Sequence, residues 1–266
     1  MISIILIKKH GLADEGIGRV LAMNRAETPA IFLFPEYTFF RKFTQDAISG
    51  LLADLPLDTD SHLFCSAYEL ETKEDVNKRM GDYVKTAGGD DSWFNDPLMK
   101  HFFEPRYFNK GYLVSGMGNV NLVSSYKKHI CTEFDSLNGY HEDRIVKTKS
   151  HGGSEIKIGA TYDGTDFSRE TPFFPSLSVD GINLECRVCA DIACGTENNP
   201  DIVLVSAHRL YHVYQRTKKS LNGKLIVVND GGRLFAPVGY KDKSLYLTTL
   251  GLSLQSKRMG INVSRI

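Results

Sequence analysis

The stretch Ile182-Asn-Leu-Glu-Cys-Arg-Val-Cys189-Ala190-Asp191 is a short apolar run that ends in a thiol and a carboxylate. Such runs of about 4 to 8 residues are typical of buried strands. Two other strand-like segments also end in reactive groups: Ile31-Phe-Leu-Phe-Pro35-Glu36 in a carboxylate, and Leu122-Val-Ser-Ser-Tyr126-Lys127-Lys128-His129 in lysines. If these strands end at one edge of a sheet, a thiol, a carboxylate and an ammonium meet there. That set of groups suits acyl transfer through a covalent thioester.

Further apolar runs are spread along the chain, and helical patterns separate several of them. The runs lie at residues 2–7, 30–34, 62–67, 112–115, 119–124, 182–188, 201–206, 224–228 and 244–250. Helical patterns occur over 11–24, 39–55 and 207–219, whereas 69–85 is charged and predicts a solvated helix or loop. Because strands alternate with helices, the sequence predicts an α/β domain or a layered α+β domain.

The composition argues against several classes of partner. The chain has 266 residues, 42% of them apolar, which suffices for one large domain or two small ones. Basic and acidic residues are equal at 32 each, so no net charge favours nucleic acid or an anionic membrane. No apolar stretch reaches the ~18 to 20 residues that span a bilayer, and the N-terminal run lacks the features of a signal peptide. The odd number of cysteines, 5, favours a reducing cytoplasm over a disulfide framework.

Cys189 is the candidate nucleophile. A free thiol has a pKa near ~8.5 and needs help to ionise at neutral pH. A strand end exposes the sulfur and presents the next backbone N–H to a bound carbonyl oxygen. The alternative is a small buried core residue, as cysteine often is, and Cys186 on the same strand is the obvious core cysteine. The residues alone leave both interpretations of Cys189 open.

Glu36 and Lys128 are the candidate base and the candidate partner of an oxyanion. A carboxylate that closes an apolar run is partly desolvated, which makes it a better base, but Glu36 can equally begin the following loop. An ammonium beside a bound carbonyl would stabilise the oxyanion formed on attack. The alternative for Lys128 is a solvated surface residue, and Lys127 is its rival because period-two alternation points only one of them at the site.

A zinc site competes for the same cysteines. The spacing Cys186-x2-Cys189 followed by His208-x3-His212 mimics the ligands of a zinc finger. The gap between the two pairs is longer than in a finger and contains the buried-strand run 201–206. We therefore disfavour a zinc site and expect no metal or organic cofactor.

Taken together, these segments resemble the nitrilase, or carbon–nitrogen hydrolase, superfamily. Phe34-Pro35-Glu36 is similar to the family's Pro-Glu segment, which bears the base. Tyr126-Lys127-Lys128-His129 is similar to its Tyr-x-Lys segment and selects Lys128 over Lys127. Val188-Cys189-Ala190-Asp191 is similar to its Cys-x-Asp segment and selects Cys189 over Cys186. One departure follows the cysteine, where Ile192-Ala193-Cys194-Gly195 replaces the Arg and Phe-Pro-Glu that are common in the family.

The resemblance implies an α/β fold, a four-layer α-β-β-α sandwich formed by a single domain over residues 1–266, with the triad at one end of the paired sheets. It also implies association into a homodimer or a larger homo-oligomer. Many family members use a second glutamate between the lysine and the cysteine. Glu142, in Tyr140-His141-Glu142-Asp143, is the first candidate and Glu133 the second, with a surface carboxylate as the alternative for both.

The implied function is hydrolysis of a non-peptide carbon–nitrogen bond, with a small amide as the substrate. Glu36 would act as the base, Cys189 as the nucleophile, and Lys128 with the backbone N–H of Ala190 would hold the oxyanion. Nitrile hydrolysis by the same triad is one alternative. A catalytically silent binding or scaffold protein is another, because a fold does not guarantee chemistry. Several aromatic residues could line a pocket, although aromatic residues more often lie in a core: Phe39, Trp93, Phe102, Phe103, Tyr107 and His208.

Overall fold

The structure of the chain is a computed structural model. It describes residues 2–7, 12–23, 29–39, 42–44, 46–86, 105, 107–130, 145–150, 153–158, 171–208, 225–229, 234–235 and 263–265. The helices within these ranges are α1 (Asp14–Met23), α2 (Ala47–Ala53) and α3 (Lys73–Thr86). The strands are β1 (Ser3–Ile7), β2 (Ala30–Leu33), β3 (His62–Leu70), β4 (Tyr107–Ser115), β5 (Leu122–Lys127), β6 (Ile145–Ser150), β7 (Gly153–Ile158), β8 (Ser176–Val179), β9 (Ile182–Val188), β10 (Ile202–Ser206), β11 (Leu225–Asn229), β12 (Leu234–Phe235) and β13 (Val263–Arg265). The fold is therefore mixed α/β, as the sequence predicts.

Two sheets contain most of the strands. The larger one has the strand order β13-β1-β2-β3-β4-β5, with β1, β2 and β3 parallel and the others antiparallel to their neighbours. The smaller one has the order β12-β11-β10-β9-β8, with β9, β10 and β11 parallel. Strands β6 and β7 pair with each other. The inner parallel strands β2 and β10 are buried along their whole length, which explains their continuous apolar runs.

Alternate residues of the larger sheet enter two separate apolar cores. One core packs this sheet against α1 and α2 and contains Ile5 and Phe32 from the strands. The other packs it against the smaller sheet and contains Ile4 and Leu33 from the same two strands. A fully buried side chain of this size contributes about 1.5–3 kcal/mol, so both faces hold the sheet in place. The described residues thus form three layers: the helices α1 and α2, the larger sheet, and the smaller sheet.

The two sheets approach each other closely at Gly111 of β4. A Cβ atom on Gly111 would lie 2.9 Å from the Val188 side chain of the opposite sheet, so β4 needs glycine at this point. The side-chain amide of Asn229 donates to the carbonyls of Ile7 (2.8 Å) and Leu33 (2.7 Å). Because Asn229 ends β11, these hydrogen bonds fasten the smaller sheet to β1 and β2 of the larger one.

Several predicted elements have different bounds in the structure. The strand predicted at 119–124 is shifted, because a bend with Gly118 at φ 85° precedes β5. Strand β4 begins at Tyr107, well before the predicted 112–115. The helical pattern over 39–55 yields only α2, because Phe39 and Phe43 form isolated β-bridges and Asp46 takes a left-handed φ of 63°. Strands β6, β7, β8, β12 and β13 were not predicted.

Most of the charged segment 69–85 forms the helix α3, which begins at Lys73, whereas residues 69 and 70 belong to β3. Thr72 and Asp75 cap its start reciprocally: the Asp75 N–H donates to the Thr72 hydroxyl (2.9 Å) and the Thr72 N–H to the Asp75 carboxylate (3.1 Å). Among the described residues, no helix is long and apolar enough to cross a membrane. The strand predicted at 244–250 and residues 209–219 of the predicted helix lie outside the described residues.

Candidate active site

Glu36 lies beyond the C-terminal end of β2, where the two sheets meet. The Phe34 N–H donates to the Phe64 carbonyl (2.9 Å) on β3 of the larger sheet. Two residues later, the Glu36 N–H donates to the Ala207 carbonyl (3.2 Å), just after β10 of the smaller sheet. Tyr37 then takes a left-handed φ of 60° and turns the chain away. Backbone hydrogen bonds therefore fix Glu36 between the ends of the two sheets.

Lys128 and Asn109 contact the same carboxylate oxygen of Glu36. Nζ of Lys128 lies 2.8 Å from Oε1, and Nδ2 of Asn109 lies 2.7 Å from it. The exposed fractions of Glu36, Lys128 and Asn109 are 1%, 2% and 1%. A buried charge without such compensation is strongly unfavourable. The site therefore contains a buried acid–ammonium pair with a neutral amide as a second donor.

The two adjacent lysines have different surroundings. Lys127 is exposed, and its ammonium lies 3.4 Å from the ring centroid of Phe108. The Lys128 N–H donates to the Asn109 carbonyl (2.8 Å), which continues the β4–β5 ladder beyond its last strand pair. Side chains alternate along such a ladder, so only Lys128 meets Glu36. Lys128, and not Lys127, is thus the lysine in contact with Glu36.

Cys189 begins a 3-10 turn, Cys189–Ala193, directly after β9. Its φ of 46° lies in the left-handed region, which is unfavourable for a residue with a Cβ and recurs at functional sites. Its Sγ lies 3.7 Å from the His208 carbonyl oxygen. The strand end does not expose the thiol as expected, because Cys189 is only 5% exposed and belongs to the same core between the sheets as Cys186. Cys186 is fully buried, and that burial raises the pKa of its thiol far above the ordinary value. Ala190, the predicted oxyanion donor, is the second residue of the turn and its side chain is buried.

A pair of buried side chains fastens the cysteine turn to β5. The Tyr126 hydroxyl donates to Oδ2 of Asp191 (2.9 Å) and accepts from the Val188 N–H. Asp191 also accepts from the backbone N–H groups of His129 (3.1 Å) and Ile130 (2.6 Å). Because Tyr126 and Asp191 belong to the two motifs, these contacts explain why a tyrosine accompanies the lysine and an aspartate accompanies the cysteine.

Burial governs the ionisation of this pair. It raises the pKa of Tyr126 well above 10.0, and the nearby Asp191 raises it further, so the phenol keeps the proton that it donates. Burial also raises the pKa of Asp191, against the opposing effects of the Ile130 N–H, the Lys128 ammonium and the His129 N–H. The hydrogen bonds from these N–H groups compensate for part of the burial of the carboxylate.

Two links bring Cys189 to the acid–ammonium pair. Asp191, two residues after Cys189, is hydrogen-bonded to the residue that follows Lys128. The carbonyl that accepts from Sγ belongs to His208, which follows the backbone partner of Glu36. The ends of β2, β5 and β9 therefore meet at one edge of the two sheets, as the sequence predicts for a shared site.

A second buried ion pair, Glu185–Arg187, stabilises the turn that begins at Cys189. The guanidinium of Arg187 contacts Glu185 through Nε (2.8 Å) and Nη2. It also donates to the carbonyls of Asp191 (3.1 Å), Cys194 (2.7 Å) and Gly195 (2.9 Å). The sequence analysis missed this pair, although two charged residues at alternate positions of an apolar strand were a usable signal.

Aromatic rings stand beside Glu36. Tyr37 stacks on Tyr68 with ring centroids 5.5 Å apart and meets the His208 ring edge-on at 5.2 Å. Of the aromatic residues named as possible pocket walls, His208 and Tyr107 lie in this neighbourhood, since Tyr107 packs against the cluster that contains Tyr68. Phe39 is different, because it belongs to the core beneath α1 and α2. The residue that follows Glu36 thus belongs to a cluster of aromatic rings.

Some predicted site residues lie outside the described residues: Glu142, Glu133, Trp93, Phe102, Phe103 and His212. The second glutamate therefore stays a prediction. Across the described ranges, no three His, Cys, Asp or Glu side chains are grouped so that they could hold a metal ion. Asn109 was missed by the sequence analysis, because nothing in its local pattern distinguishes it from any other polar residue of a strand.

No protein-family profile and no curated protein sequence matches this chain. Among solved structures, the chain is similar to a CN-hydrolase superfamily protein from Xanthomonas campestris, with 11% identity and a TM-score of 0.48 over 85% of this chain and 74% of the other. It is also similar to a nitrilase-superfamily amidase from Nesterenkonia (13%, TM-score 0.41, 85% and 76%). A glutamine-dependent NAD+ synthetase from Acinetobacter baumannii matches at 12% and a TM-score of 0.45, over 90% of this chain and 44% of that one.

Proposed function

We propose that this chain is a carbon–nitrogen hydrolase of the nitrilase type, a single domain over residues 1–266 with a four-layer α-β-β-α sandwich, and that it hydrolyses a small amide. The observation that carries the proposal is the buried Glu36–Lys128 pair, 2.8 Å apart, at the sheet edge where β9 delivers Cys189. An acid, an ammonium and a thiol are the groups that amide hydrolysis through a thioester requires.

In the first half of the reaction, Glu36 takes the proton of the Cys189 thiol and the thiolate attacks the amide carbon. The carbonyl electron pair moves to oxygen, where Lys128 and the N–H of Ala190 stabilise the negative charge. The protonated Glu36 then gives its proton to the amide nitrogen, the carbon–nitrogen bond breaks, and ammonia or an amine leaves. The acyl group remains on sulfur as a thioester.

In the second half, water replaces the departed amine. Glu36 accepts a proton from this water as it attacks the thioester, Glu142 helps to position it, and the same oxyanion donors act again. Collapse of the adduct breaks the carbon–sulfur bond, releases a carboxylic acid and returns the proton to the sulfur. Each turnover thus consumes one water and needs no metal or organic cofactor.

The burial of the ion pair argues against a silent scaffold. A buried lysine–glutamate pair is often no more stabilising than apolar residues of the same volume, because both charges lose their hydration. Keeping Glu36, Lys128 and Asn109 together away from water therefore brings little net stability. A catalytic site, by contrast, needs these charges in place before the substrate arrives.

The test compares ammonia release by three proteins on matched panels of small amides and nitriles. We expect the natural protein to hydrolyse members of the amide panel and the Cys189→Ala variant to lose at least about 10³-fold in kcat/KM, because the nucleophile is gone. Cys186→Ala is the matched control from the same strand and should retain activity. Full turnover by Cys189→Ala would contradict the proposal, and ammonia release from nitriles alone would replace amide hydrolysis with nitrile hydrolysis.

We also propose a cytoplasmic homodimer or larger homo-oligomer. The odd number of cysteines supports the first point, and the resemblance to the superfamily supports the second. Sedimentation equilibrium of the full chain tests the assembly, for which a mass near the 29.8 kDa of a single chain at all concentrations would be the contrary result.

A further inference from the structure

The carboxylate of Asp191 is the point at which the end of β5 meets the 3-10 turn that follows β9. Its Oδ2 accepts a hydrogen bond from the Tyr126 hydroxyl at 2.9 Å, and its Oδ1 accepts one from the Ile130 N–H at 2.6 Å. The His129 N–H lies 3.1 Å from both oxygens. The donors precede and follow Lys128 in the chain, so one buried side chain holds the segment on both sides of that lysine.

The main chain of Asp191 is fixed within the turn itself. Its carbonyl accepts the Cys194 N–H at 3.0 Å and Nη1 of Arg187 at 3.1 Å. Asp191 is the third residue of the turn that begins at Cys189, and its exposed fraction is 0%. Because the carbonyl and the carboxylate belong to one buried residue, the turn and the end of β5 are held in one arrangement.

Tyr126 makes the reciprocal connection from β5 to the turn. Its hydroxyl accepts a hydrogen bond from the Val188 N–H, which immediately precedes Cys189, and donates to Asp191, which lies two residues after it. The tyrosine thus contacts the chain on both sides of the cysteine, as the aspartate contacts it on both sides of the lysine. Both residues are buried, which makes the loss of these hydrogen bonds unfavourable.

We propose that Asp191 is a positioning residue that sets the place of Cys189 relative to Lys128, with Tyr126 as its partner. This inference rests on the proposed function, in which the thiolate and the oxyanion donor act on the same carbonyl group. The cysteine follows a strand of the smaller sheet and the lysine follows a strand of the larger one. A misplacement of about 1 Å between reacting groups can cost about 10²-fold in rate, so the connection between the two strand ends matters for the chemistry.

A carboxylate fits these partners better than an amide of the same shape. An ionised carboxylate is an acceptor at both oxygens, and Oδ1 and Oδ2 of Asp191 each accept in the structure. In Asp191→Asn one of these oxygens becomes an NH2 group. In either orientation of the amide, this group faces the Tyr126 hydroxyl or the Ile130 N–H, both of which donate in the natural protein. The substitution therefore weakens the connection while it preserves the size of the side chain.

The test is a double-mutant cycle on the full chain. Asp191→Asn and Tyr126→Phe each remove the hydrogen bond between the two side chains, and a third protein carries both substitutions. The matched control is Glu69→Gln. Glu69 is also a buried carboxylate that accepts from a tyrosine hydroxyl, that of Tyr112, but this pair lies on the other face of the larger sheet.

We expect Asp191→Asn and Tyr126→Phe each to lower kcat for an amide by about 10- to 100-fold, while KM changes less than about threefold. The double variant should lose clearly less than the product of the two single losses, because both substitutions break the same connection. Glu69→Gln should lower the melting temperature and leave kcat unchanged. A purely structural role of Asp191 predicts a lower melting temperature with unchanged kcat in the folded protein, and this result would overturn the inference, as would single losses that multiply in full.

A measurement without substrate separates this inference from the proposed function. In crystal structures of the natural protein and of Asp191→Asn, the distance between Sγ of Cys189 and Nζ of Lys128 should differ by about 1 Å or more. Tyr126→Phe takes the place of Asp191→Asn if the latter does not fold.

If the natural protein hydrolyses amides but the Sγ–Nζ distance is the same in the variant, the role of Asp191 is refuted and the hydrolase proposal stands. If the natural protein hydrolyses no amide or nitrile, yet the distance changes in the variant, the proposed function is refuted and the positioning role of Asp191 is supported.

Discussion

Within the described ranges, two carboxylate–cation pairs are almost fully buried, and they differ in how far apart their partners lie along the chain. Glu185 and Arg187 are two residues apart on β9, and the other hydrogen bonds of the guanidinium go to carbonyls of the next few residues, while its face lies over the Phe174 ring at 4.3 Å. Glu36 and Lys128 are 92 positions apart and meet only when β2 and β5 occupy one sheet. The first pair fixes a local turn, whereas the second depends on the complete larger sheet.

The chemistry of the two cations matches this difference. Arginine is a planar fork with five donors in fixed directions, which suits a permanent set of carboxylate and carbonyl acceptors. Lysine is a compact charge on a flexible stem, which can stabilise an oxyanion that forms and disappears. The comparison indicates that Arg187 stabilises the turn that begins at Cys189, and it is compatible with the proposed role of Lys128 as an oxyanion donor.

Breaking the long-range pair should have the largest effect. Lys128→Met leaves the Glu36 carboxylate buried without its ammonium, which is expected to destabilise the protein by about 3–5 kcal/mol. In the proposed mechanism it also removes an oxyanion donor, so kcat/KM for an amide should fall at least about 10²- to 10³-fold. Urea unfolding measures the first effect, and steady-state kinetics at a temperature where the variant is folded measures the second.

The double variant Glu36→Gln with Lys128→Met separates the two effects. Because it removes both charges, it should recover much of the stability that the single variant loses, but none of the activity. Activity within about tenfold of the natural protein in Lys128→Met would mean that this pair is structural, like the pair on β9, and would remove the contrast between them.

The same comparison shows what the sequence could predict. The runs around Ile31 and Ile182 predicted β2 and β9 because a strand buried on both faces needs only local apolar residues. The three motifs were readable for a similar reason, since each lies within one short segment. The contact of Asn109 with Glu36 could not be predicted, because it follows from the register of β3, β4 and β5, which no local pattern encodes. The shift of β5 had a comparable cause, the bend that precedes it.

Breaking the local pair should affect stability more than chemistry. Arg187→Met leaves Glu185 as an uncompensated buried charge and deprives three carbonyls of a donor, so the free energy of unfolding should fall by about 3–5 kcal/mol. Activity of the folded protein should fall by less than about tenfold, because no reacting group is lost. Unfolding and kinetics on the same sample test both points, and a loss of activity as large as in Lys128→Met would contradict the distinction between the pairs.

The smallest expected effect concerns Tyr126, whose hydroxyl joins the strand that bears Lys128 to the strand that bears Cys189. Tyr126→Phe should cost about 1–3 kcal/mol at neutral pH, because Asp191 loses a donor and the Val188 N–H loses an acceptor. The control is Tyr112→Phe, which removes a buried hydroxyl that donates to Glu69 on the other face of the larger sheet and should leave activity intact. Only Tyr126→Phe should slow turnover.

The difference in unfolding free energy between the natural protein and Tyr126→Phe should depend on pH, because the pKa of Tyr126 is raised in the folded protein. Burial raises the pKa of Tyr126 well above 10.0, so above pH 10.0 the folded protein keeps a phenol proton that the unfolded chain releases. The natural protein therefore loses stability as the pH rises above that value, by about 1.4 kcal/mol per pH unit for this one proton. Tyr126→Phe lacks this proton, so the gap in unfolding free energy between the two proteins should narrow from pH 9 to about pH 11. If the difference in unfolding free energy between the two proteins stays constant over this range, the Tyr126 phenol is not the buried donor that joins the two strands.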